Sequence, residues 1–466
     1  MNSDTSLDLA FSDAVSLGNL LAQRKVSALE LAQLYVNRLE NYGSSLGAVV
    51  TIMHDRALRE AKEADRELQA GNRRSPLHGV PYGAKDLLAA VGAPTTWGAQ
   101  PYRDRYFDDD AAVIERLHAA GAVLCAKLAM VELAGGFGYN EADASFTGPG
   151  RTPWNRDYWS GGSSSGPGAA TAAGLVGFAI GSETDGSIMS PSACCGVSGL
   201  RPTFGRVSRY GAMALMWSSD KLGPLCRSAR DTMAILGIIA GRDSRDDTSR
   251  TMPFPSLARR PRIGIFKDAT EKTQPAVVAN FHRSVAVLRD FADVVEEAVT
   301  LPEYPYGTIL GTLLNGEASA AFRDLIESGR VRELRSPEDR LGAYSQYVTL
   351  AVDYVDAMRL RKKANAAFLD ILAPYDALIY PTWSTVAYPV GVPFDKAYPE
   401  FPGAIDPQTA SNLAGVPAIS IPNGFGDHGL PTAIAFIANA WSERVLTQIA
   451  EEYQQRTTFH TRRPPL

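Results

Sequence analysis

Three times along this chain an amphipathic helical stretch runs into a short apolar one. AAVIERL at 111–117 precedes AVLCA at 122–126, AVVANFHRSVAVLRDF at 276–291 precedes VVEEAV at 294–299, and AMRLRKKANAAFLDIL at 357–372 precedes ALIYP at 377–381. A helix-period stripe followed by a short run apolar on every residue is the local pattern of a sheet buried on both faces by helices. Further strands are expected at RIGIF, AISIP and TAIAFIA, with a closing helix over ERVLTQIAEEYQQ. The fold class that follows is α/β, a mainly buried sheet covered by helices.

Ser27-Ala-Leu-Glu30 has the form of a capping box, and Leu31, Leu34, Tyr35 and Leu39 continue it at helical spacing. A second helical pattern, DRALREAKEADRELQAG, carries Ala57, Leu58, Ala61, Ala64 and Leu68 on one face and stops at Gly71. The first 75 residues are therefore expected to be helical, and a helix from about 110 should end at Gly121. The charged, proline-bearing stretch at 241–261, GRDSRDDTSRTMPFPSLARRP, reads as a linker between a core and a more variable segment.

Composition supports a large globular core, with 45% hydrophobic and 21% charged residues. A net charge of −5 offers no basic footprint for directly bound nucleic acid. Cys125, Cys194, Cys195 and Cys226 show no CxxC spacing, and the acidic N-terminus lacks the layout of a signal peptide, so a reducing, cytoplasmic setting is expected. The longest apolar-rich run, at 169–180, is broken by Gly174 and Gly177 and falls short of the ~20 residues of a membrane span.

The stretch GGSSSGPG at 161–168 carries the chemistry. As a flexible linker it sits oddly between the aromatic PWNRDYW and the alanine-rich AATAAGLVGFAIG. As a phosphate loop it lacks its lysine, since none lies between Lys127 and Lys221. Gly162-Ser163-Ser164-Ser165-Gly166 satisfies the GxSxG of a nucleophile elbow, but the histidines downstream, His282, His428 and His460, sit in no recognisable motif.

Taken with LHGVPYGAKD at 77–86 and GSETDGSIMSPSACCGVSGLRPTFGRVSRYG at 181–211, the chain resembles the amidase signature family. AGAVLCAKLAMVE, SDKLGPLCRSARD and NLAGVPAISIPNG extend the resemblance over most of the sequence, in order. It implies a large mixed sheet sandwiched by helices in one domain over 1–466, with a helical N-terminal segment (1–75), a signature core (76–240), a more variable segment (241–400) and a C-terminal return to the core (401–466), the site lying near the sheet edge. It further implies a Ser-cis-Ser-Lys triad of Lys85, Ser163 and Ser187, a cis peptide at Gly162-Ser163, and an oxyanion hole from the N–H groups of Thr184, Asp185, Gly186 and Ser187. Ser164 and Ser165 then act as supporting hydrogen-bond partners.

This set suits amide cleavage without a histidine. Ser187 needs a base as it attacks, and a buried, neutral lysine can serve through Ser163. No cofactor or metal is expected, and Cys194 and Cys195 read as packing residues. His78 reads as a structural hydrogen-bonding residue. Met130, Phe137, Tyr139 and Trp217 are candidate pocket residues. Two departures bear on substrate: where the family commonly has TDTGGSIR, Asp185 replaces a glycine, and Met189 replaces an arginine able to pair with the acid at Glu183. Asp185 either faces the pocket and disfavours anions or turns away and packs.

The resemblance implies hydrolysis of small-molecule amides, with aryl esters and carbamates (urethanes) reachable through similar intermediates. The alternative is the glutamine-hydrolysing A-subunit of a tRNA-dependent amidotransferase, which SRYG also resembles and which would need partner subunits. A non-catalytic scaffold is disfavoured by the complete Lys85, Ser163, Ser187 set. A homodimer is left open, and no membrane association is expected.

Overall fold

The computed structural model describes residues 3–295 and 297–466. Among them, eleven strands make one mixed sheet. In chain order these are β1 (Val49–Ile52), β2 (Pro81–Lys85), β3 (Val123–Leu128), β4 (Phe178–Glu183), β5 (Ser198–Arg201), β6 (Lys221–Cys226), β7 (Arg262–Ile265), β8 (Asp293–Val294), β9 (Ala377–Pro381), β10 (Ala418–Phe425) and β11 (Pro431–Ile437). Across the sheet they run β1-β3-β2-β4-β6-β5-β10-β11-β9-β7-β8.

β2 pairs parallel with both β3 and β4, while β6, β5, β10 and β11 form an antiparallel centre. Every residue of β2, β3, β4 and β6 is buried, as expected of strands covered on both faces. The expected capping box forms: Ser27 Oγ accepts from Glu30 N at 3.1 Å and Glu30 Oε2 accepts from Ser27 N at 2.9 Å, opening a helix over Ala28–Tyr42.

Some expectations need correcting. The first 75 residues are not all helical, because Val49–Ile52 forms β1, antiparallel to β3 at the outer edge of the sheet. Its four residues are all half-buried and pair with a strand more than seventy positions away, so no local period marks them. The stretch 241–261 is no free tether: Asp246 is buried and accepts from Arg209 N at 2.8 Å, and Arg250 N donates to Gly205 O at 2.8 Å. Of the expected VVEEAV strand only Val294 lies in a strand, β8, and Glu296 falls outside the described residues.

The site does not flank an outer strand. β2 and β4 stand third and fourth from the β1 edge, and Lys85 and Glu183 are their last residues. The functional groups thus gather over the carboxyl ends of two neighbouring parallel strands, where side chains can leave a buried sheet without breaking its ladder.

Candidate active site

Lys85 is fully buried at the end of β2, and its Nζ donates to Ser163 Oγ at 2.7 Å and Ser182 Oγ at 2.9 Å. Ser163 Oγ lies 2.9 Å from Ser187 Oγ. Lys85, Ser163 and Ser187 therefore form one continuous hydrogen-bonded chain, although they are separated by 78 and 24 residues in sequence. Burial holds the Lys85 ammonium well below the usual lysine range, against the nearby charges of Asp220 and Glu183.

The peptide Gly162-Ser163 is cis. The backbone here is packed too closely for side chains: a Cβ on Gly166 would stand 2.4 Å from Ala48 O and 2.5 Å from Ala129 N. Ser164 Oγ donates to Ser182 O at 3.1 Å and accepts from Ser182 N at 3.3 Å, joining the segment to β4, while Ser165 Oγ reaches Ala129 O at 3.4 Å. Gly162 N donates to Ser190 Oγ at 3.4 Å.

Between β4 and the helix Met189–Cys195 the chain turns at Gly186, whose φ of +78° is readily adopted only without a Cβ. The N–H groups of Asp185, Gly186 and Ser187 meet no acceptor among the described residues, so the turn presents free donors beside the Ser187 hydroxyl. The turn is braced from both sides. Glu183 Oε2 accepts from Ile188 N at 2.8 Å and Met189 N at 3.0 Å; its Oε1 accepts from Arg201 Nη1 at 3.0 Å and Asn412 Nδ2 at 2.9 Å. Burial alone would raise the Glu183 carboxyl, but Arg201 and Lys221 with these donors hold it below its ordinary value. Arg201 thus supplies the guanidinium absent at Met189.

On the other side, Thr184 Oγ1 donates to Asp220 Oδ1 at 2.6 Å and Ser219 Oγ to Thr184 O at 3.3 Å. Lys221 pairs across the ladder with Glu183, and burial together with Arg201 pushes its ammonium down to about 7. Ser218 is clamped by Glu317 Oε1 at 2.7 Å and Arg361 Nη1 at 2.8 Å, from the helices Tyr306–Ala321 and Ala351–Leu372.

Asp185 faces a cavity of about 480 Å³ whose walls include Tyr380, Trp383, Tyr388, Asp406 and Gln408. Its Oδ2 accepts from Thr409 Oγ1 at 2.8 Å and its Oδ1 from Asn412 Nδ2 at 3.0 Å. Burial, and after it the Asp406 carboxylate, raise the Asp185 carboxyl to about 7. Of the two readings the sequence left open, the side chain both faces the cavity and packs.

The pocket candidates separate. Trp217 is exposed and borders a second, small cavity of about 30 Å³ with Thr184. Tyr139 stands against Gly162 and meets Trp159 and Phe394 edge-on. Met130 and Phe137 lie in the main hydrophobic core and border neither cavity. Phe137 is drawn there by Phe322, edge to face at 5.6 Å. His78 Nδ1 accepts from Arg74 N at 3.0 Å, before β2 begins. Cys194 and Cys195 are buried, and no group of metal-ligating side chains occurs among the described residues.

Ser182, Arg201, Asp220 and Asn412 were not singled out from sequence. All four sit inside recognisable motifs, but nothing local tells which polar side chains of GSETDG, LRPTFGR, SDKLG or NLAGV turn inward.

A model of the amidase family matches residues 30–447. The chain belongs to the amidase signature family. It is 35% identical to the A-subunit of the glutamyl-tRNA(Gln) amidotransferase of Chloroflexus aggregans, over 96% of each chain. Among solved structures, it resembles the native peptide amidase of Stenotrophomonas maltophilia, at 31% identity, a TM-score of 0.84 and 98% of each chain. The A-subunit of the glutamyl-tRNA(Gln) amidotransferase of Thermotoga maritima matches at 26% identity and a TM-score of 0.79, over 96% of this chain and 95% of the other. No helix of the described residues is long and apolar enough to cross a membrane.

Proposed function

We propose that this amidase-family hydrolase cleaves amide C–N bonds through an acyl-enzyme on Ser187. The observation that carries the reading is the unbroken contact from Ser187 Oγ through Ser163 Oγ to Lys85 Nζ. As Ser187 Oγ adds to the carbonyl carbon, its proton passes to Ser163 and the Ser163 proton to Lys85, which burial keeps neutral enough to accept it. The carbonyl oxygen takes the negative charge against the free N–H donors of the Gly186 turn. Collapse breaks the C–N bond as the relay returns a proton to the leaving nitrogen. Water then attacks the acyl-enzyme by the same route and releases the carboxylic acid.

Two substrate readings are each supported by a different observation. Full-length similarity to the Chloroflexus A-subunit favours glutamine as substrate, with ammonia handed to partner subunits. The cavity beside Asp185 favours a free-standing amidase for neutral or cationic amides, since no lysine, arginine or histidine lines it to receive a glutamine carboxylate. Aryl esters and carbamates, which pass through similar tetrahedral intermediates, extend the second reading.

The test is hydrolysis of 4-nitroanilides, glutamine and an aryl carbamate by the purified chain, with Ser187→Ala as control. Anilide or carbamate turnover abolished in the variant establishes the free-standing enzyme. Glutamine turnover alone, or only with partner subunits added, establishes the amidotransferase reading. A folded chain silent on all three with and without partners refutes both.

A further inference from the structure

The cavity bordered by Asp185 is built for a particular charge. It carries two carboxylates, Asp185 and Asp406, and no basic side chain. The rings of Tyr380, Trp383 and Tyr388 supply its aromatic walls. Independently of the acids, the cavity keeps polar atoms waiting. Tyr380 is only 5% exposed, yet its hydroxyl has no hydrogen-bond partner among the described residues. The Oε1 of Gln408, also on the wall, is likewise unpartnered. A buried polar atom left without a partner is costly, and two such atoms on residues that wall one cavity favour a ligand that completes them. An amide carbonyl acceptor, a phenol, two carboxylates and aromatic faces together suit a donor-rich cation.

Resting on the amide-hydrolase reading above, we propose that this cavity is a cation-selecting substrate pocket: it takes a primary ammonium or amidinium group carried by the amide substrate, between Asp185 and Asp406, and rejects substrates that present a carboxylate there. Gln408, on the cavity wall, packs against Gly186 in the turn that joins Asp185 to Ser187, which sets the cavity beside that turn. The charged and polar groups facing Asp185 include Asp406, Glu183, Arg201 and Tyr380, with Thr409 and Asn412 donating to it. With the Asp185 carboxyl raised to about 7 in the empty pocket, a bound cation favours its ionised form and draws its proton off. Cation binding therefore strengthens as pH rises from 6 to 8, whereas an uncharged isostere shows no such dependence.

The experiment has two arms. Calorimetry on the intact chain compares 3-phenylpropylamine with 3-phenylpropanol; the amine, charged throughout, is expected to bind about tenfold or more tightly at pH 8, with the margin shrinking at pH 6. Asp406→Asn, checked for folding by its thermal midpoint, should remove most of that margin, and Asp185→Asn should abolish its pH dependence. The second arm compares kcat/KM for 5-aminopentanoyl and hexanoyl 4-nitroanilides, where the cationic substrate should lead by a similar factor. Equal affinity for amine and alcohol at pH 8, or an amine preference unmoved by both substitutions, overturns the pocket. Turnover of neither anilide overturns the free-standing amidase reading instead and leaves the calorimetric result standing.

Discussion

Replacing Arg201 by methionine tests the bracing of the Gly186 turn. Arg201 is fully buried and gives three hydrogen bonds, to Glu183 Oε1, Ser411 Oγ and Val416 O. Methionine fills similar space with no donor. It leaves the Glu183 carboxylate buried without its main counter-charge, a change that costs about 3–5 kcal/mol where one partner of a buried pair is removed. One neighbour softens the loss. Lys221 lies across the ladder from Glu183, and Arg201 helps depress its ammonium to about 7. Without Arg201 the lysine protonates more readily and partly replaces the missing cation. The deficit should sit near the upper end of that range at pH 9 and shrink towards pH 6, where Lys221 is already largely charged. Urea unfolding followed by tryptophan fluorescence at the two pH values measures it. Adding Glu183→Gln should restore part of the loss, because the neutral amide still accepts from Ile188 N and Met189 N and leaves no unpaired buried charge. Arg201→Met within about 1 kcal/mol of the parent at pH 9, or a double variant as weak as the summed singles, would refute this account.

Lys85→Met, Ser163→Ala and Ser187→Ala should each lower kcat by about 10³-fold or more, and any pair should be no worse than the more damaging single, because they act as one relay; single-turnover kinetics reads this directly. The kcat/KM of the parent should rise with pH through a value well below the ordinary lysine range, since only neutral Lys85 accepts the proton, and Lys85→Arg should be inactive at every pH. Asp185→Asn should raise the thermal midpoint at pH 8: the carboxyl is held at about 7, so its ionised form is a burden above that pH. The gain should fade as pH falls from about 7 towards the ordinary carboxylate range, where the parent is protonated too.

The grouping of Lys85, Ser163 and Ser187 was legible because each sits in a short motif and the motifs come in order along the chain. The alternation of helix and strand likewise gave the α/β class, since 3.6-residue stripes and fully apolar runs are local signals. Sheet order was not legible. β10 enters between β5 and β11, and nothing in AISIP names Ser198–Arg201 as its neighbour. β2 and β4 escaped for another reason: PYGAK and FAIGSE end in polar residues that serve the site, which breaks the apolar pattern of a buried strand. Arg201 competes with Arg206 and Arg209 within LRPTFGRVSR, and only tertiary packing decides that Arg201 meets Glu183. Tyr380 and Asp406 reach the cavity from regions where the sequence carried no catalytic motif.

The donors that secure Glu183 and Arg201 come late in the chain. Lys85, Ser163 and Ser187 all precede residue 190, but Ser411, Asn412 and Val416 complete the buried pair, and β10 covers the edge that β5 would otherwise leave open. A ribosome working from the N-terminus therefore releases every relay residue long before it releases what steadies the turn beside the nucleophile. A prematurely terminated product would bear an open strand edge and an unbraced turn, a substrate for proteases rather than a hydrolase. On the mechanism proposed above, the turn beside Ser187 would be braced for catalysis only once the C-terminal strands have docked.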